Sequence, residues 1–144
     1  MKRILSAATL ALAAVLMTGC AGMNADAPVK TVYHVNKGVE SSAAMLGNVK
    51  NHLNADPKAK IVVVTHGDGI YFLLQEAKDS KGREFSAMVS DLAAKGVEFR
   101  VCNNTLVGRK VDPGRLLLEA KIVPSGVAEV ANLQVKEGYA YLKP

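Results

Sequence analysis

The chain has 144 residues, 49% of them hydrophobic, with two cysteines and a formal charge of +5. Its 18 basic side chains fall to 16 once Lys2 and Arg3 leave with a leader, against 13 acidic ones, a net of +3. That weak excess is scattered and shows no aromatic–basic interleaving, which excludes nucleic acid as the expected partner.

Lys2 and Arg3 precede an apolar run from Ile4 to Met17, followed by Thr18, Gly19 and Cys20. This is the charged, apolar and small-residue layout of a secretory signal. The run falls short of the about 20 apolar residues that a spanning helix needs, so export is expected rather than a membrane span. The M-T-G-C ending resembles a bacterial lipobox. That likeness implies a signal peptide over residues 1–19 and a lipid on Cys20, anchoring the protein to a membrane of the bacterial cell envelope. Ala21, in place of an aspartate after the cysteine, suggests the outer membrane, with the protein facing the periplasm. Residues 20–30 then form the lipidated Cys and a flexible tether, and residues 31–144 are enough for one domain with one core.

Thr31 to Val35 reads as a first strand, closed by the turn residues Asn36, Lys37 and Gly38. Ser41 and Ser42 are placed to cap a helix with Met45, Leu46, Val49 and Leu53 on one face, which Pro57 stops. The uninterrupted β-branched run Ile61 to Val64 suits a strand buried on both faces, at the centre of a parallel sheet. H-G-D-G follows, with Ile70, Leu73, Leu74 and Ala77 at helical spacing, so a helix is expected to begin there. The turn could offer amides to an anion, yet Asp68 sits where the anion would. Phe72 stands where a dinucleotide fingerprint needs its third glycine, and no G-K-S/T follows, so a nucleotide site is not expected.

Phe85, Met88, Val89, Leu92 and Ala93 mark another amphipathic helix, ended by Gly96. In the next strand Val97, Phe99 and Val101 alternate with Glu98 and Arg100, and Cys102 shares the parity of the charged pair. Two charges on one face suggest an edge strand or a subunit contact. Leu106 and Val107 suggest a short helical turn, and Asp112 with Pro113 a capped segment through Leu118. Lys121 to Val123 reads as a fourth strand. Ser125 and Gly126 then open a helix with Val127, Val130 and Ala131 inward, stopping at Gly138, and Tyr139 to Leu142 forms a fifth strand. Strands and helices alternate throughout, which predicts a three-layer α/β/α sandwich around a mainly parallel five-stranded sheet.

Ligands of such sheets bind outside the carboxyl ends of the strands, which directs attention to Cys102, Asn103 and Asn104. With Cys20 converted to a thioether, Cys102 has no intramolecular partner. It is a thiol paired between molecules, one kept free for reaction, or an inert, packed one. Arg100, His66 or a helix beginning near Asn103 could lower its pKa, because thiolate reactivity depends on such neighbours. His34, His52 and His66 show no metal-ligand spacing, so no zinc site is expected, and no G-x-S-x-G element is present for a serine hydrolase.

Three segments resemble the DsrE/DsrF-like family of sulfur-handling proteins: V-V-V-T-H-G-D-G from Val62 to Gly69, F-R-V-C-N-N-T-L from Phe99 to Leu106, and the close from Ile122, I-V-P-S-G-V-A-E-V-A-N-L-Q, followed by E-G-Y-A-Y-L-K-P. The resemblance covers Thr31 to Pro144. It implies a small parallel α/β fold, homo- or hetero-oligomers and, as in several members, a cysteine that accepts sulfane sulfur as a persulfide and passes it on. That role falls on Cys102, with Asn103, Asn104, His66, Gly67 and Arg100 as expected binding neighbours and no cofactor. The implied partners are a second copy of the chain and sulfur donors and acceptors, either proteins or small persulfides. The alternative is a non-catalytic oligomeric binding or scaffold protein in which Cys102 is inert.

Overall fold

A computed structural model describes residues 27–144, so the signal peptide, Cys20 and most of the tether lie outside the described residues. Five strands, β1 (Lys30–Val35), β2 (Lys60–Thr65), β3 (Glu98–Cys102), β4 (Ala120–Val123) and β5 (Ala140–Leu142), form one sheet in the order β4-β3-β2-β1-β5. Every pairing is parallel. The β-branched run of β2 is therefore central, as its sequence implies, and its five residues from Ile61 to Thr65 are all buried.

Four α-helices and two 3-10 segments connect the strands: α1 (Val39–Ala55), the 3-10 turn Gly67–Leu73, α2 (Phe85–Ala93), α3 (Asn103–Gly108), the 3-10 turn Pro113–Arg115, and α4 (Gly126–Glu137). None is long and apolar enough to cross a membrane among the described residues. One face of the sheet carries the main core, in which Tyr33, Val63, Phe99 and Val101 pack against Met45, Leu46 and Val49 of α1, Val89 of α2, and Phe72. Among the described residues the other face is covered by α4 alone, where Val32, Val62 and Val64 meet Val130 and Leu133. The result is a three-layer sandwich with one full and one thin outer layer.

Four sequence expectations are corrected. Helix α1 starts before Ser41 and Ser42, with Gly38 at its cap, and the Ser42 hydroxyl donates back to the Gly38 carbonyl instead of capping. The segment after H-G-D-G is a 3-10 turn and not an α-helix, with Gly69, Ile70, Phe72 and Leu73 buried. Gly69 is pressed onto the Val35 carbonyl, so tightly that any side chain there would collide with it, and Leu74 leaves the turn to bridge Leu116. On α4, Val127 and Ala131 point outward, and Val130 and Leu133 supply the buried stripe. Strand β3 is internal, lying between β2 and β4; its charged face is neutralised by ion pairs of Arg100 with Glu98 and with Glu129 of α4.

Candidate functional site

Cys102 ends β3 and is at the same time the N-cap residue of α3. A cap residue directs its side chain toward the free amides of the first helical turn, so the sulfur lies over Asn104 and Thr105. From the other side comes the first turn of α4, whose Ser125 hydroxyl caps it by accepting from the Ala128 amide at 3.4 Å. Gly126 is required there: a methyl on it would stand 3.2 Å from Cβ of both Cys102 and His66 and from the Thr65 carbonyl oxygen. No side-chain cap bond of ordinary geometry forms at Cys102. The group is nonetheless tuned: burial pushes the thiol pKa up, and the Thr105 hydroxyl together with the amides of Gly126, Thr105 and Asn104 outweighs this, leaving it below the usual cysteine value. The thiolate is favoured by neutral dipoles, as oxyanions are. Cys102 is only 4% exposed, so the same elements that polarise the sulfur also cover it.

Thr105 is the joint of this arrangement. Its Oγ1 accepts from the Gly67 amide at 3.1 Å, linking the H-G-D-G turn, where Gly67 takes φ +55°, to the cysteine helix. Asn104 contributes its main chain, with its amide also donating to the Pro124 carbonyl at 3.3 Å.

His66 follows Thr65, whose partner across the sheet is Val101. One residue further along, His66 therefore stands beside Cys102, consistent with the contact both make to Gly126. Its ring turns the other way. His66 Nε2 lies 2.6 Å from His34 Nε2, the rings stack at 4.7 Å, and His34 Nδ1 lies 2.7 Å from the Tyr141 hydroxyl. Burial lowers the pKa of both histidines, assisted at His34 by His66 and at both by Lys143.

A model of the DsrE/DsrF-like family matches residues 6–144. The chain belongs to that family. Among solved structures it is similar to a protein of unknown function, MTH1491, from Methanobacterium thermoautotrophicum, at 32% identity and a TM-score of 0.72, over 81% of this chain and 99% of that one. It also matches the E. coli ychN protein at 19% identity and a TM-score of 0.68, with the same coverage, a likeness of fold alone. No curated protein matches it.

Of the residues singled out in this DsrE/DsrF-like sequence, the fold brings Cys102, Asn104, Gly67 and His66 together at the carboxyl ends of β2 and β3. Asn103 is half-buried beside them. Arg100 is not brought in: its guanidinium binds Glu98 at 3.0 Å and also Glu129, and it is not among the groups that shift the thiol. Thr105, Gly126 and the His34–His66–Tyr141 chain were not visible as site residues from spacing. Thr105 carried one available signal, since it occupies the third helical position after a cap, where a hydroxyl faces back to the cap residue.

Proposed function

We propose that this protein is a sulfur carrier or transferase, tethered to the bacterial envelope through lipidated Cys20 and working in the periplasm as a homo-oligomer. Sulfane sulfur is held on Cys102. Family membership supports a role in sulfur relay, and the observation that carries the finer reading is the cradle of neutral donors that lowers the Cys102 pKa. In uptake, the Cys102 thiolate attacks the outer sulfur of a donor persulfide. The new S–S bond forms as the donor's S–S bond breaks, and the donor thiolate leaves with the electron pair. In delivery, an acceptor thiolate attacks the outer sulfur and Cys102 departs as thiolate. Each exchange is balanced without an oxidant, metal or organic cofactor. The cradle serves both half-reactions, because a stabilised thiolate is also a good leaving group.

The near-complete burial of Cys102 favours a second reading, a binding or scaffold protein with an inert thiol. Intact mass separates the two. After incubation with polysulfide, the carrier gains about one sulfur atom per chain, the gain is reversed by a thiol and Cys102→Ser lacks it. No adduct, together with protection from alkylation until unfolding, would establish the scaffold reading instead.

A further inference from the structure

Strands β2, β3 and β4 are laid down successively on one side of β1, and the chain then crosses under α4 to place β5 on the other. The reversal point of this sheet thus lies between β1 and β5. In open α/β sheets, ligands bind outside the strand ends at such a point. A cleft of about 340 Å³ opens there, with His34, Asn36, Lys37, Ser41 and Lys143 among its lining residues, which is within the size range of small-molecule sites.

Among the described residues no acidic side chain lines the cleft. Lys37 and Lys143 take part in none of the ion pairs among the described residues. The amide of Asn36 and the hydroxyl of Ser41 add neutral donors. We infer that this cleft binds a small oxyanion of the sulfate, thiosulfate or phosphate type. Ammonium groups with hydroxyl and amide donors are the chemistry such oxygens need, and the volume leaves room for bound waters or a small substituent.

The histidines respond to the same field. His34 is held toward its neutral form by burial and by the charges of His66 and Lys143, and His66 by burial and Lys143. Tyr141 is the other titratable group touching the pair. An anion beside Lys143 would cancel the repulsion and draw a proton onto the pair. Because β3 lies two strands from β1, the cleft is about 10 Å across the sheet from Cys102. It is a separate site, and its occupancy does not depend on the carrier reading.

The test is a histidine ring-nitrogen NMR titration of the full-length protein, with sodium sulfate, thiosulfate or phosphate against chloride at equal ionic strength. Binding is expected to be saturable, to raise the pKa of His34, and to weaken roughly tenfold in Lys143→Ala and in Lys37→Ala, each of which removes one charge-assisted contact. Cys102→Ser should bind as the parent does. An absent or non-saturating response, or affinity unchanged from the parent in both lysine variants, overturns the site. Binding lost in Cys102→Ser overturns it too, since that places the anion at the thiol. Response to thiosulfate alone also defeats the oxyanion assignment, which requires sulfate and phosphate to compete.

Discussion

Thr105 shows how one hydroxyl can serve two neighbours, accepting from the Gly67 amide while stabilising the Cys102 thiolate. Thr105→Val keeps the shape and removes the hydrogen bond, and bonds to charged groups contribute about 1.5–3 kcal/mol. The thiol pKa should rise, and alkylation of the folded protein at pH 7 should slow roughly tenfold. Thr105→Ser retains the hydroxyl and should stay close to the parent. Equal rates in Val and Ser variants would show that the amides alone set the thiol. At Gly126 the constraint is space. Gly126→Ala forces a methyl against Cys102, His66 and the Thr65 carbonyl at 3.2 Å, and overpacking of this sort costs about 1–3 kcal/mol. Gly47 lies inside α1 with open space around it, so Gly47→Ala should add about 0.5–1 kcal/mol through helix propensity. Urea denaturation midpoints of the two alanine variants should therefore move in opposite directions.

At the scale of elements, the hydrogen-bonded chain His66–His34–Tyr141 ties the ends of β2, β1 and β5 together. Only one proton fits between two facing Nε2 atoms, so charging both rings must break the contact. Both pKa values are lowered in the folded chain, so the unfolded state binds more protons. Stability is then complete above the ordinary histidine value of about 6.5 and is lost as pH falls through it. Carboxylates such as Glu98, held low first of all by the Arg100 hydrogen bond, lose their contribution only in a lower window, near pH 4 and below. A denaturation midpoint that drops between pH 7 and 5 in the parent, and stays flatter in a His34→Gln, His66→Gln double variant, is the expected result; parallel curves would remove the histidines from the account. Sequence alone could not reach this pair, because 32 positions separate the two rings and only the register of β1 on β2, His34 beside Val64, brings them together. By contrast, the Ile61–Val64 run announces a central strand by composition, and the parity of Glu98, Arg100 and Cys102 announces a shared face. The turn after Gly69 misleads because Ile70, Leu73, Leu74 and Ala77 have helical spacing, while a backbone contact with Val35, invisible in the spacing, forces a tighter path. Arg100 misleads for a similar reason: parity places it on the thiol's face, but Glu129, supplied by α4, decides where its charge goes.

For the whole molecule, the uneven layering determines which surfaces remain available. Among the described residues one outer layer holds α1, α2 and α3 and the other only α4, so apolar side chains at the sheet's margin lack cover there. At the β4 edge Leu118 is fully exposed and Ile122 is 46% exposed, next to a strand whose outer side pairs with nothing among the described residues. Lys121 on that edge is drawn to Glu98 at 3.3 Å. Exposed edges of this kind are covered in many proteins by association. Homo-oligomerisation through β4 would bury Leu118 and Ile122 while leaving the cleft between β1 and β5, at the opposite end of the sheet, open. Sedimentation of the parent should give an oligomer mass. A Leu118→Asp, Ile122→Lys double variant should fall to the monomer with its circular dichroism spectrum unchanged, since neither side chain is part of the buried core. A variant that keeps the oligomer would exclude this edge and turn attention to Val127 and Val135 on the outer side of α4. A monomeric parent would exclude self-association altogether and leave the exposed edge to a different partner.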